Sequence, residues 1–189
     1  MKCLVLLAGC GLGDGSCIEE VILTYAALDK YGCDYTPVAE ALSVQSVNHL
    51  TEQLAEKRNI LLEAARIGRG RIEDIREIEF DKYNALIIPG GIGLLRNYKN
   101  SNAIEACVTH FISKKKPVAT MCAGIDFMRS FLGSNLFARE TKQLPAEEFC
   151  FDADNNLYYT PAFRKTGSCY TALLGIDSMI RALTQTHTA

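Results

Sequence analysis

Histidine is scarce: only His49, His110 and His187 occur in 189 residues. A cysteine or serine relay needs an imidazole beside the nucleophile, and none of the three has a clear place for it. His187 sits in the polar tail. His110 follows Cys107 by three residues on a predicted helix, a spacing more often incidental than metal-binding. His49 lies in an irregular middle stretch from which it can reach a site at the sheet edge.

Other absences narrow the class further. The formal net charge is −2, and the only basic run is Lys114-Lys115-Lys116. That run ends a predicted helix, where cations complement the helix dipole, so no nucleic-acid footprint is expected. No apolar run reaches the roughly 18 residues of a membrane span, and no membrane partner is expected. The opening residues up to Leu7-Ala8-Gly9-Cys10 imitate a lipoprotein signal. Its apolar part, Cys3 to Ala8, is shorter than the roughly 7–15 residues such a core needs, and it reads as a buried first strand.

The eight cysteines contain no C-x-x-C pair, which disfavours a zinc ribbon. Their irregular spacing in an aliphatic-rich chain is unlike a disulfide scaffold. Free thiols, most of them buried, in a reducing cytoplasmic setting are expected. There is no Gly-Lys-Ser/Thr phosphate loop. The run Gly9-x-Gly11-x-Gly13-x-Gly15 misses dinucleotide spacing because Asp14 stands where the third glycine belongs. No nucleotide cofactor is expected.

What is present is an ordinary globular composition, 48% hydrophobic and 22% charged, without repeat, linker or low-complexity segment. A single domain over 1–189 follows. Strand and helix signals alternate, which predicts an α/β three-layer sandwich with a mainly parallel sheet and helices on both faces. Buried strands are expected at Lys2–Ala8, Cys33–Val38, Ala85–Ile88 and Pro117–Met121. Ser16 with Glu19 has capping-box form ahead of a helix to Tyr31. Asn59 caps Ile60–Ile67, with Leu61, Leu62 and Ala65 expected inward. Asn48–Lys57 reads as a short helix or a loop. Ser101 caps a helix through Phe111, and another runs from the Cys122 turn to about Leu132. A turn at Asp152–Asn156 joins short strands Glu148–Phe151 and Leu157–Thr160, and Ser168–Leu183 is the last helix.

Cys122 is the most informative position. It separates the apolar run Pro117–Met121 from a helix opening at Ala123-Gly124, the strand-turn-helix setting in which α/β enzymes expose a nucleophile. A helix N-terminus favours thiolate over thiol. In a doubly wound sheet, ligands bind beyond the carboxyl ends of the strands, where Gly9–Ser16, Pro89–Gly93 and Cys122–Gly124 all arrive. The N–H groups of Gly91 and Ala123 are candidate oxyanion donors, since glycine permits close backbone approach. Glu20, just past the first loop, is a candidate proton carrier. An acidic residue in a helix's first turn is common, however, and by itself says little.

Pro89-Gly90-Gly91, Cys122-Ala123-Gly124 and Glu20 together resemble the ThiJ/PfpI superfamily, related to class I glutamine amidotransferase domains. Asn48-His49-Leu50-Thr51, Arg58-Asn59-Ile60-Leu61 and Glu63-Ala64-Ala65-Arg66 resemble its ElbB-like branch, the isoprenoid biosynthesis proteins with an amidotransferase-like domain. The resemblance implies a flavodoxin-like sandwich with a nucleophile-elbow cysteine, often a homodimer. It implies Cys122 and Glu20 as catalytic residues, and Gly90, Gly91, Ala123, Gly11, Asp14 and His49 around the substrate. The activity it implies is that of a cofactor-free glyoxalase III-like enzyme acting on small carbonyls such as methylglyoxal. A non-enzymatic redox-sensing or regulatory role linked to isoprenoid metabolism is the alternative. A glutaminase-like amidotransferase subunit is disfavoured by the missing triad histidine. This chain departs from its relatives in having Ile125-Asp126 after the elbow and Cys17 where Glu is common.

Overall fold

The computed structural model describes residues 1–185; the tail with His187 lies outside them. The central sheet has seven strands in the order β5-β2-β1-β6-β7-β9-β8. These are β1 (Lys2–Leu6), β2 (Asp34–Ala39), β5 (Glu73–Asp74), β6 (Ala85–Ile88), β7 (Val118–Met121), β8 (Cys150–Asp152) and β9 (Leu157–Thr160). All neighbours are parallel except β8 against β9. The middle of this order is the flavodoxin pattern, with its topological switch between β1 and β6. Strands β6 and β7 are buried at every position. That explains their unbroken apolar runs, since both sheet faces are covered.

The helices are α1 (Ile18–Lys30), α2 (Ile60–Ile67), α3 (Gly93–Asn97), α4 (Asn102–Ser113), α5 (Gly124–Leu132), α6 (Glu140–Gln143) and α7 (Cys169–Gln185). Helices α1 and α7 pack side by side, and α3 packs on α5. A separate antiparallel hairpin, β3 (Ser43–Val47) and β4 (Leu54–Asn59), leads into α2. The core gathers side chains from β1, β6, β7, β9 and the inner faces of α1, α4, α5 and α7. Leu4, Leu6, Ile87 and Ile88 are fully buried, each contributing about 1.5–3 kcal/mol of hydrophobic stabilisation.

The structure corrects several expectations. Ser16 does not cap α1; its hydroxyl accepts from Ala8 N–H at 2.9 Å, and Cys17 takes the cap position without a side-chain bond. A buried serine bonded to the strand end holds the first loop, and the helix starts one residue later. Asn48–Lys57 is neither helix nor plain loop but the turn and return strand of the hairpin. Asn59 does cap α2, accepting from Leu62 N–H at 3.1 Å. Its inward residues, however, are Ile60, Ala64 and Ile67, and Leu62 is 69% exposed. The spacing i, i+4, i+7 of those three is the better helical stripe. Of the eight cysteines, all free, four are buried, three half-buried and Cys169 exposed. The basic run is structural: Lys115 and Lys116 donate to the carbonyls of Asp154 and Tyr83. Among the described residues no helix is long and apolar enough to cross a membrane.

Candidate active site

The elbow is built from the strand upward. Cys122 N–H donates to Thr160 O at 3.2 Å, extending the β7–β9 ladder one step beyond the strands. The backbone then turns sharply, with Cys122 at φ 49. A non-glycine residue held there stores about 1–3 kcal/mol of strain. Helix α5 rises at once, and Gly124 permits it. A β-carbon at Gly124 would overlap the Thr120 hydroxyl and come within 3.1 Å of Ile88 O.

The loop after β6 brings the second partner. Gly90 N–H donates to Glu20 Oε2 at 2.7 Å. A β-carbon at Gly90 would lie 2.5 Å from that oxygen and 2.9 Å from Cys122 Cβ. Glu20 and Cys122 therefore meet across a glycine that only a glycine can be. The same loop is fastened to the first one, as Cys17 N–H donates to Gly90 O and Gly93 N–H to Gly15 O. Gly91 has φ 127 and packs on Gly15 and Ser16. The three loops singled out in the sequence thus converge at the carboxyl edge of the sheet.

Glu20 is completely buried. Burial raises its carboxyl to about 7, opposed by the Gly90 amide, the Cys122 thiol and the Phe163 amide. Its second oxygen, Oε1, forms no well-aligned hydrogen bond among the described residues. Cys122 is half-buried. Burial and the neighbouring Glu20 charge push its thiol up to about 12, against the pull of Ala123 N–H and Arg164. The expected standing thiolate is therefore corrected: desolvation and a carboxylate outweigh the helix terminus. At neutral pH the resting pair is a thiol beside a carboxyl that is shared between its two protonation states.

Gly91 N–H and Ala123 N–H have no carbonyl acceptor among the described residues, whereas Gly90 N–H is spent on Glu20. Gly11, Asp14 and His49 form a neighbouring cluster that the structure ties to the hairpin. Asp14 Oδ2 accepts Val47 N–H at 2.7 Å, and His49 Nε2 accepts Gly13 N–H at 3.1 Å. His49 Nδ1 lies 3.1 Å from Val47 O, the placement of an Nδ1–H donor. A β-carbon on Gly11 would strike that ring at 2.7 Å. These bonds fasten the hairpin to the first loop, and none goes to Cys122. His110 lies instead 3.4 Å from both Lys116 Nζ and Asp81 Oδ1. Cys17 donates to Glu19 Oε2 at 3.3 Å, and burial pushes its thiol far up. Burial also raises Cys10. Among the described residues no group of three or more His, Cys, Asp or Glu is arranged to hold a metal.

One charged residue of the site went unread in the sequence. Arg164, in a short turn at Ala162–Arg164 after β9, pairs with Asp126 and lies close enough to favour the Cys122 thiolate. Asp126, the departure noted after the elbow, also accepts from Arg129 at 2.6 Å. No local pattern marks Arg164; only the β7–β9 register places it here.

Comparison with known proteins bears on the family and the fold. The rat "ES1 protein homolog, mitochondrial" (Rattus norvegicus) is 29% identical over 133 residues, covering 62% of this chain and 49% of that protein. The human "glutamine amidotransferase-like class 1 domain-containing protein 3, mitochondrial" is 29% identical over 131 residues, covering 62% and 49%. The chain spans about half the length of these curated relatives. Among solved structures, an isoprenoid biosynthesis protein with amidotransferase-like domain from Ehrlichia chaffeensis superposes with a TM-score of 0.90. It is 28% identical, with 98% of this chain and 100% of that one covered. DJ-1beta of Drosophila melanogaster, 14% identical with a TM-score of 0.52 over 100% of this chain and 97% of that one, shares the fold. The model of the DJ-1/PfpI family matches residues 10–131, from the first glycine loop through the elbow to the end of the helix behind it, and the chain belongs to that family.

Proposed function

We propose that this protein is a cysteine-dependent, cofactor-free enzyme of glyoxalase III type that converts small α-oxoaldehydes to hydroxy acids. The observation that carries the reading is the buried Glu20 carboxyl, titrating near 7 beside a thiol that is protonated at rest. A carboxylate with that affinity is a competent base and, once protonated, a competent acid at neutral pH.

The chemistry runs as an internal redox step. Glu20 takes the Cys122 proton as sulfur bonds the aldehyde carbon, and the Gly91 and Ala123 amides receive the carbonyl oxygen. Glu20 delivers that proton to the oxygen, giving a hemithioacetal. It then removes the hydrogen of the former aldehyde carbon as a proton and returns a proton to the adjacent carbonyl carbon through an enediol. The first carbon is oxidised to a thioester and the second reduced to an alcohol. Water cleaves the carbon–sulfur bond, releases the hydroxy acid and restores the thiol.

Redox sensing is the second reading. It needs a thiolate at rest, because thiolate character governs oxidation by peroxide. The raised Cys122 thiol therefore favours base-assisted addition. The test is lactate formation from methylglyoxal without glutathione. We expect kcat/KM to rise with pH as Glu20 loses its proton, half-way near 7, and Cys122→Ala to be inactive. Undiminished turnover in Cys122→Ala overturns the reading. Stoichiometric, turnover-free mass additions at Cys122 under mild peroxide favour the sensor.

A homodimer in a reducing cytoplasm belongs to the same proposal. Ile18 and Ile22 on α1, with Tyr170 and Leu174 on α7, expose large apolar groups on two helices packed side by side. Sedimentation giving a monomer at micromolar concentration would refute the dimer.

A further inference from the structure

Strands β7 and β9 run parallel with Met121 opposite Thr160, so both chains leave the sheet at the same level. Each turns through a left-handed corner, Cys122 at φ 49 and Ala162 at φ 45. The turn after β9 therefore lies against the elbow. Its Phe163 amide reaches Glu20, and its Arg164 reaches Asp126 on α5.

The two arginines on Asp126 are used differently. Arg129 spends four of its five N–H groups: Nε on Leu136 O at 3.0 Å, Nη1 on Asp126 at 2.6 Å, and Nη2 on Phe137 O and the Thr141 hydroxyl. It is a structural clamp. Arg164 gives one N–H to Asp126, and its other donors have no acceptor among the described residues. One carboxylate thus answers two guanidinium groups, and of the charges near the thiol Arg164 favours its anion while Glu20 opposes it. A second group is unspent nearby. The Tyr159 hydroxyl is fully buried without a hydrogen-bond partner. Its ring stacks on Phe137 at 5.8 Å, and Arg164 and Cys122 are among its electrostatic neighbours. A buried hydroxyl left unpaired costs about 1–3 kcal/mol, so this one is expected to have an acceptor when the site is filled.

We infer that Arg164, together with the Tyr159 hydroxyl, is a carboxylate-recognition subsite beside Cys122, and that the substrates are α-oxoaldehydes carrying a carboxylate. A guanidinium with free parallel donors matches a carboxylate in two-point contact. Asp126 holds the guanidinium without neutralising the pair of arginines. As a statement about turnover, the inference rests on the carbonyl-enzyme reading. The distal carboxylate takes no part in the chemistry; it anchors the molecule while the thiol adds to the aldehyde, and the products remain those of the internal redox step.

Two readouts separate the subsite from the enzyme reading. The first is alkylation of Cys122 by anionic iodoacetate against neutral iodoacetamide, followed by mass at the Cys122 peptide. Relative to a free thiol, the parent is expected to favour the anion about tenfold, the effect of one charge-assisted contact. Arg164→Gln abolishes that bias and Arg164→Lys retains part of it. An equal bias in parent and Arg164→Gln overturns the subsite. The second is kcat/KM for dioxovalerate, an α-oxoaldehyde with a terminal carboxylate, against methylglyoxal. The parent prefers dioxovalerate, and Arg164→Gln loses the preference through KM. If neither compound turns over while the alkylation bias holds, the enzyme reading and the substrate class fall but the anion subsite stands. If methylglyoxal turns over and neither ratio responds to Arg164→Gln, the subsite falls alone.

Discussion

Two polar clusters share the carboxyl edge of this sheet and differ in one respect. Around the first loop, His49 accepts from Gly13 N–H, Asp14 accepts from Val47 N–H, and His49 Nδ1 faces Val47 O. Around the elbow, Glu20 Oε1 and the Tyr159 hydroxyl are buried without a well-aligned hydrogen bond among the described residues, and the partly exposed Arg164 has donors to spare. A satisfied cluster holds structure together. An unsatisfied one carries a free-energy penalty in the folded state, and a ligand or a reaction relieves it. By this comparison the glycine-rich loop, conspicuous in the sequence, is scaffold, and the elbow side is where chemistry is expected.

The predictions test that division, from the largest expected effect to the smallest. Cys122→Ala should remove lactate formation to background while leaving the fold intact by circular dichroism. Glu20→Gln should lower kcat/KM and, in the same protein, raise stability. Glu20 holds its proton to about 7 when folded against 4.5 as a free side chain. Between those values the native state binds a proton that the unfolded chain has released, so stability falls as pH rises through the window and stays lower above it. The glutamine has no such titration. Its gain is expected to reach up to about 3 kcal/mol at about pH 8 and to vanish at about pH 4, by urea unfolding at both. A loss at high pH would show that Glu20 is well solvated and the comparison mistaken.

Gly90→Ala is expected to cost about 2 kcal/mol and more activity than stability accounts for, because its methyl group would wedge between Glu20 and Cys122. Equal kcat in Gly90→Ala would mean the pair does not act together. His49→Ala should cost about 1 kcal/mol by loss of a net hydrogen bond, with kcat of the folded protein unchanged. A kcat loss there would move the first loop from scaffold into the site.

Much of this was legible in the sequence, and the failures have physical causes. Strands β6 and β7 and the Ser101 and Asn59 caps were readable because burial on both faces and helix capping each leave a local signature. Glu20 was one acidic residue among several until the resemblance singled it out. The β3–β4 hairpin was hidden because only Ser46 among its strand residues is buried, so no alternation of buried apolar residues announces it. Ser16 misled because a serine before a helix serves a cap or a tertiary hydrogen bond equally well. The protonated thiol of Cys122 was unreadable, because desolvation depends on what packs around the elbow. Arg164 is adjacent to Cys122 only through strand register, which no window of sequence contains.

The strand order has a consequence for how this molecule meets copies of itself. One border of the sheet is β5, two residues long, and the other is β8, three residues long. A border this short offers too few open backbone groups to template a neighbour's strand. Edge-to-edge growth, the common route from a parallel sheet to aggregates, is closed at both ends of the central sheet.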